Sequence, residues 1–342
     1  MSARKPEPSV ASDWSPPPFR PAGIRGGDMP GDVITIGESH LRRATVAFPS
    51  ILSHLRKVGG APGARTIISV YGGSGVGKSE IASLLAFYSR EAGFPAYVMS
   101  GDNYPRRYPE QNDGERLARF RAAGLAALAQ HNEFSDAWDD ALHELWPEYL
   151  DADPGRADPG PADPGRAEGG AMSTAVTADA DPAPQTTGPP AMDTYQAAGR
   201  AALEAYLGTE KEIDFALVNS ILRRFKEGHK TIALKRMGRR PDDIHFRTVD
   251  FSNTRVLFLE WTHGNNPRVA GIDFAVFLYS SPEQTLAHRR ERARDKGTDS
   301  HFTRLVLDIE QRLVNATADR ADLILSLDGE VLGPTDVDRR GI

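Results

Sequence analysis

A three-layer α/β fold, with a mostly parallel sheet and helices on both faces, is predicted by three features of the sequence. Short, nearly unbroken apolar runs recur at 66–71, 255–260, 272–279 and 321–327. Segments whose apolar residues are spaced by three and four positions fall between them. The first run ends in a glycine-rich loop that opens directly into such a helical pattern. Strands covered on both faces lose the in/out alternation of half-exposed strands, so runs of this kind point to a parallel sheet enclosed by helices.

Taken in chain order, residues 1–32 are rich in Pro, Gly and Ser and lack apolar periodicity, which predicts a disordered N-terminal tail. Residues 33–65 carry a helical stripe of Leu41, Val46, Phe48, Ile51 and Leu55, expected to pack as an extra helix against the core. TIISVY (66–71) is a β-branched strand, KSEIASLLAFYSREA (78–92) a helix stopped by Gly93, and AYVMS (96–100) the next strand. Helical spacing runs from Asp113 to about Leu150 and resumes from Tyr195 to about Glu227. Between them, at about 151–192, Asp-Pro-Gly units repeat and then give way to Ala, Thr and Pro. That stretch has too little apolar surface to offset its ordering entropy, so it is expected to be a disordered insertion. Residues 231–251 read as a hairpin turning at GRRPDD, and helical stretches at 282–295 and 301–319 separate the last strands. Residues 33–342 are therefore expected to form one domain, plus a small hairpin and lid region.

Composition narrows the function classes. The 342 residues carry a formal net charge of −6, which argues against a general nucleic-acid binder, since such proteins need a basic excess to neutralise phosphates. No apolar run approaches the roughly 20 residues that span a bilayer. The opening MSARKPEPSVASDWSPPPF has no apolar core of a secretory signal. Cys is absent, so thiolate metal sites and cysteine nucleophiles are excluded. The expectation is a cytoplasmic protein without membrane or nucleic-acid partners, acting as a monomer or homodimer.

The loop after the first strand, Gly72-Gly73-Ser74-Gly75-Val76-Gly77-Lys78-Ser79, satisfies G-x-x-x-x-G-K-[ST] in the strand–loop–helix context this motif requires. Glycines let successive backbone N–H groups face phosphate oxygens, and the helix that follows adds its positive end. Lys78 supplies a point charge for the β- and γ-phosphates of ATP, and the Ser79 hydroxyl is a ligand for Mg2+. Asp102 follows the second strand in Gly101-Asp102-Asn103-Tyr104, at the carboxyl end of a strand expected beside the phosphate-loop strand, where ligands bind in open α/β sheets and where a carboxylate can take a proton from an attacking hydroxyl. Glu260 ends the run RVLFLE, the Walker-B position that holds magnesium. In His288-Arg289-Arg290-Glu291-Arg292-Ala293-Arg294-Asp295-Lys296, Arg289 and Arg292 are candidates for a lid that stabilises charge on the transferring phosphoryl group. Tyr104, Arg107, Arg239 and His263 are candidate substrate contacts, beside Asp102 itself.

These residues together resemble the uridine kinase and phosphoribulokinase group of P-loop kinases. The resemblance spans roughly 66–105 and 213–328: GGSGVGKS, GDNY, IDFALVNSILRRFKEGHKTIALKRMGRRPDD, LFLEW, FLYSSPEQTLAHRRERARDKG and ADLILSL. It implies a P-loop fold and ATP-dependent phosphorylation of a hydroxyl on a small molecule. Asp102 would be the base, Glu260 the magnesium acid, and 289–294 the lid. Uridine kinases place an aromatic- and histidine-bearing segment in the hairpin, where this chain has Lys235-Arg236-Met237-Gly238-Arg239-Arg240. Those cations suit an anionic acceptor. Ser100-Gly101-Asp102-Asn103 also resembles, more weakly, the Asp-Gly-Asp-Asn of adenylylsulfate kinases. Nucleoside or adenylylsulfate-kinase-like activity, and from another class a regulatory ATPase switch, stay open as alternatives.

Overall fold

The computed structural model describes residues 14–20, 23–58, 63–131, 190–238, 240–281, 284 and 300–340. In chain order its elements are α1 (Glu38–Val58), β1 (Thr66–Gly72), α2 (Lys78–Glu91), β2 (Ala96–Ser100), α3 (Pro109–Gln130), α4 (Pro190–Glu204), α5 (Phe215–Lys226), β3 (Thr231–Arg236), β4 (His245–Asp250), β5 (Val256–Glu260), β6 (Phe274–Leu278), α6 (His301–Asn315), β7 (Leu323–Leu325), β8 (Val331–Leu332) and α7 (Pro334–Arg340). The chain divides into two compact units, Met1–Asp113 with Leu203–Ile342, and Gly114–Ala202.

The first unit holds a six-stranded sheet in the order β2-β5-β1-β6-β7-β8. Its first five strands run parallel and β8 returns antiparallel beside β7. Alternate residues of each strand serve opposite layers. Ile68, Val70, Val256 and Phe258 pack with α1 and α2, whereas Ile67, Leu257 and Leu259 pack with α5. Both faces are thus sealed, which is why these strands are apolar throughout. The Asp273 carboxylate joins the layers, accepting from the Ile67 N–H at 2.8 Å and from Lys226 Nζ. β3 and β4 form the separate antiparallel hairpin.

The second unit packs α3 against α4 through aromatic rings set in glycine notches. The Phe120 and Tyr195 rings meet edge-on at 5.6 Å. A Cβ on Gly124 or Gly199 would collide with Tyr195 or Phe120 respectively.

The structure differs from the sequence reading in four places. β5, not β2, lies beside the phosphate-loop strand β1, and β2 stands at the edge of the sheet. The helical span expected from Tyr195 to Glu227 is broken: α4 stops at Glu204 and α5 restarts at Phe215, with Asp214 Oδ1 accepting from the Leu217 N–H at 3.1 Å. Gly208, at φ 65°, turns the intervening loop. In α1 the buried stripe is Ala44, Ala47, Phe48, Ile51, Leu52 and Leu55, and Val46 faces solvent. Finally, parts of the expected tail, within residues 14–20 and 23–32, pack against the sheet unit. Trp14 packs its ring 4.8 Å from Phe48 and 5.3 Å from Tyr88, and Asp28 is buried. Composition averages over a segment and does not register one aromatic anchor or one buried charge. The expected insertion lies outside the described residues except for Pro190–Met192, which open α4.

Candidate active site

The glycine-rich loop leaves β1 and enters α2 through Gly77, in the left-handed region at φ 89°. A side chain there would be strained, and its Cβ would come 2.7 Å from His40 Nε2 and 3.0 Å from Arg43 Nη2. Gly73 has no more room, since a Cβ would collide with the Gln311 amide. The N-terminus of α2 has no side-chain cap, so its first amides remain directed at an incoming anion. Lys78 is buried and folds across the loop to donate to the Gly73 carbonyl at 2.9 Å. Ser79 stays half-exposed at the helix start. These features fit a triphosphate and its magnesium: uncapped amides, the Lys78 ammonium and the Ser79 hydroxyl lie together where the loop enters the helix.

Two residues of α1 missed by the sequence reading lie against this loop. Arg43 on α1 is 1% exposed and donates from Nη1 to the Val76 carbonyl at 2.8 Å. Burial pulls its pKa down to about 10, against the opposing pull of Glu80 and Asp328. His40, one turn earlier, accepts the Gly37 N–H on Nδ1 at 3.0 Å, which leaves the proton on Nε2 beside Gly77. An arginine at the edge of an apolar helical stripe was the available sequence signal.

The carboxylates come from neighbouring strands. Glu260, at the end of β5, is 4% exposed and accepts the Ser100 hydroxyl at 3.1 Å. Burial first, then the negative charge of Asp102, pushes its pKa up to about 7, partly offset by Lys78 and the Ser100 hydrogen bond. Asp102 occupies the short 3-10 turn Gly101–Asn103 after β2 and is solvent-exposed. A Cβ on Gly101 would collide with the Trp261 indole, so this turn lies directly on that ring. The structure thus gathers Lys78, Ser79, Asp102 and Glu260 at the carboxyl ends of β1, β2 and β5.

The other candidates divide. Tyr104 is wholly buried beside Phe215 and Trp261, so its ring belongs to the core layer beneath the turn. Arg107 is half-buried and donates from Nη1 to the Tyr206 hydroxyl at 3.1 Å and to the Lys211 carbonyl at 3.3 Å. His263 packs edge-on to Trp261 at 5.5 Å and covers Gly208, whose Cβ would come 3.1 Å from its ring. Both residues therefore flank the 205–214 loop, which hydrogen-bonds to the Asp102 segment through Arg106 N–H to Glu212 and Asp214 N–H to Tyr104. Arg239, Arg289 and Arg292 lie outside the described residues.

A parallel strand, a complete phosphate loop with an uncapped helix, and an acid ending the adjacent strand decide the architecture. This is a P-loop nucleoside-triphosphate-binding fold. No protein-family model matches the sequence. Among curated proteins, the chain is 32% identical over 267 residues to the bifunctional alpha-galactosidase/sucrose kinase AgaSK of Mediterraneibacter gnavus, covering 78% of this chain and 20% of that protein. The chain thus spans about a fifth of the length of the curated relative it matches. Among solved structures, phosphoribulokinase from Rhodobacter spheroides aligns with a TM-score of 0.41 and 15% identity over 78% of this chain and 71% of its own. A protein described as a possible uridine kinase from Bacillus stearothermophilus aligns with a TM-score of 0.37 and 14% identity, over 80% and 95% respectively. Among the described residues no helix is long and apolar enough to cross a membrane.

Proposed function

We propose that the chain is an ATP- and magnesium-dependent kinase that transfers the γ-phosphoryl group to a hydroxyl of a small carbohydrate. The observation that carries this is the pairing of a buried acid, Glu260, with an exposed one, Asp102, opposite the Lys78–Ser79 phosphate loop. Ser79 and Glu260 would hold magnesium, which when bound offsets charge on the phosphates and favours the ionised form of Glu260. Lys78 and the α2 amides orient the β- and γ-phosphates. An Asp102 carboxylate oxygen takes the proton of the acceptor hydroxyl as the hydroxyl oxygen bonds to the γ-phosphorus, and the bond from that phosphorus to the β,γ-bridging oxygen breaks, ADP leaving with the electron pair.

The acceptor's class follows from the hairpin and from the sequence relative. Lys235 donates from Nζ to the Pro105 carbonyl at 2.8 Å, and Arg236 is 6% exposed and ion-paired with Asp28. These two cations, half of the cluster that suggested an anionic acceptor, are thus engaged inside the fold. A neutral polyol needs no such counter-charge, and the 32% identical relative carries sucrose kinase in its name.

The test is ADP release in Mg-ATP with sucrose, fructose, glucose, a sugar phosphate and uridine offered separately. Stimulation by a neutral sugar, abolished in Lys78→Ala, is the expected result. Stimulation by the sugar phosphate alone would restore the anionic acceptor. Hydrolysis indifferent to every acceptor would remove the kinase assignment in favour of an ATPase switch.

A further inference from the structure

Asp28 belongs to the N-terminal segment that precedes α1, far in sequence from any motif, yet its side chain is 6% exposed. Its carboxylate is saturated with donors. Oδ1 accepts the Ser100 N–H at 2.8 Å and Asn103 Nδ2 at 3.0 Å. Oδ2 accepts the Tyr97 hydroxyl at 3.1 Å and Arg236 Nη1 at 2.9 Å. The network continues outward: Arg236 Nη2 donates to the Tyr97 hydroxyl at 3.1 Å, and Asn103 Oδ1 accepts the Met237 N–H at 2.8 Å.

Two of those partners, Ser100 and Asn103, flank Asp102 on either side in the chain. A third, Arg236, ends β3 and begins the hairpin turn. One carboxylate therefore grips both shoulders of the 3-10 turn that carries Asp102 and ties it to the hairpin. The Ser100 hydroxyl also reaches Glu260, so the same grip extends to the buried acid.

The chemistry of the group matters. An ionised carboxylate presents only acceptors, about four lone-pair sites, and can satisfy four donors at once. An amide of the same shape would turn its own N–H bonds toward two of those donors and leave Arg236 buried without a counter-charge. Burial raises the Asp28 pKa above the ordinary aspartate value, and the Arg236 guanidinium and the hydrogen bonds from Ser100 and Tyr97 limit that rise.

We propose that Asp28 is a positioning residue for phosphoryl transfer, fixing the Gly101–Asn103 turn so that Asp102 meets the acceptor hydroxyl. The N-terminal segment is then part of the catalytic apparatus. This rests on the reading of Asp102 as the base.

The experiment is a cycle of Asp28→Asn, Asp102→Asn and the double variant in the full chain. Turnover is measured with Mg-ATP and sucrose, or whichever sugar of the panel above turns over fastest, well below each variant's melting temperature. Asp28→Asn should lower kcat about 10- to 100-fold, the scale of a misplacement near 1 Å, with the KM for ATP held within about twofold. The double variant should be no slower than Asp102→Asn alone, because a residue that acts through Asp102 has nothing left to position. Tyr97→Phe removes one donor and keeps the carboxylate, so it covers the case in which Asp28→Asn does not fold. It should lower kcat a few-fold and likewise add nothing to Asp102→Asn. Multiplying effects in the double variants, or normal kcat with only a lower melting temperature, would overturn the proposal and leave Asp28 a structural staple. Normal kcat in Asp102→Asn would overturn the base assignment, and with it this proposal.

Discussion

Ser100 and Glu260 are register partners at the adjoining ends of β2 and β5, and their side chains meet, the hydroxyl donating to Glu260 Oε2 at 3.1 Å. The register has a consequence for chemistry. It brings the last residue of β5 level with the start of the Asp102 turn, while Val70 of β1 lies on the other side of Glu260. A buried acid is thereby fixed between the phosphate loop and an exposed acid.

The first prediction concerns the proton on that buried acid. Glu260 has a folded pKa near 7 against an ordinary value of 4.5, raised by burial and by Asp102. The native state therefore holds more protons than the unfolded state across that window, and stability falls as pH rises through it. Glu260→Gln carries no such dependence. In metal-free buffer, its melting temperature relative to wild type should rise by several degrees between pH 5 and pH 8. A difference that stays flat with pH would show that Glu260 is not strained by burial in the apo protein.

The phosphate loop yields the second prediction. Arg43 reaches it from α1 and closes on the Val76 carbonyl, and the Gly77 backbone packs against the same guanidinium. Arg43→Met keeps the helix and much of the volume but removes a charge-assisted hydrogen bond worth roughly 1.5–3 kcal/mol. The loop should then cradle phosphates less well, with the KM for ATP up about tenfold or more and the acceptor KM unchanged. Arg43→Lys, which keeps the charge, should recover part of the loss. An unaltered KM for ATP in Arg43→Met would reduce Arg43 to a packing residue.

What the sequence revealed and what it hid have physical reasons. Gly72–Ser79, Asp102 and Glu260 were legible because loop, strand end and residue type each constrain the others: a phosphate loop needs its glycines, and a strand sealed on both faces stands out when it ends in an acid. β2 runs from Ala96 to Ser100 as the apolar spacing indicates, since five residues bounded by glycine and proline have little freedom. Asp28 was invisible, because its neighbours are those of a tail and its partners, Ser100, Asn103 and Arg236, are distant in the chain. Arg236 read as one of the cations for an anionic acceptor for the same reason. Nothing local in a sequence separates an arginine that meets water from one that meets a buried carboxylate.

The third prediction tests the N-terminal segment by packing alone. Trp14 lies against Phe48 and Tyr88, whose rings are themselves 5.5 Å apart, so three aromatics join the segment to α1 and α2. Removing a buried aromatic side chain costs about 3–5 kcal/mol, and a half-buried one such as Trp14 should cost less. Trp14→Ala should lower the melting temperature by several degrees. A melt indistinguishable from wild type would mean that the segment detaches in solution.

The last prediction separates the two acids. Asp102 is the exposed residue of a turn backed by Trp261 and held by Asp28 at its shoulders, Ser100 and Asn103, whereas Glu260 is buried beside Lys78. Exposure suits a group that must reach an acceptor and pass its proton to solvent, and burial suits one that meets a cation. General-base catalysis contributes roughly 100- to 10,000-fold. Asp102→Asn preserves the shape of the turn but cannot take the proton, so kcat with a sugar acceptor should fall on that scale. ATP binding, measured by equilibrium titration with Mg-ATP, should be unaffected, because Asp102 does not belong to the phosphate loop. Glu260→Gln should show the opposite balance, weakening the magnesium dependence of the reaction before anything else. If Asp102→Asn loses ATP affinity while Glu260→Gln responds normally to magnesium, the two roles are exchanged, and the exposed acid is the one that serves the metal.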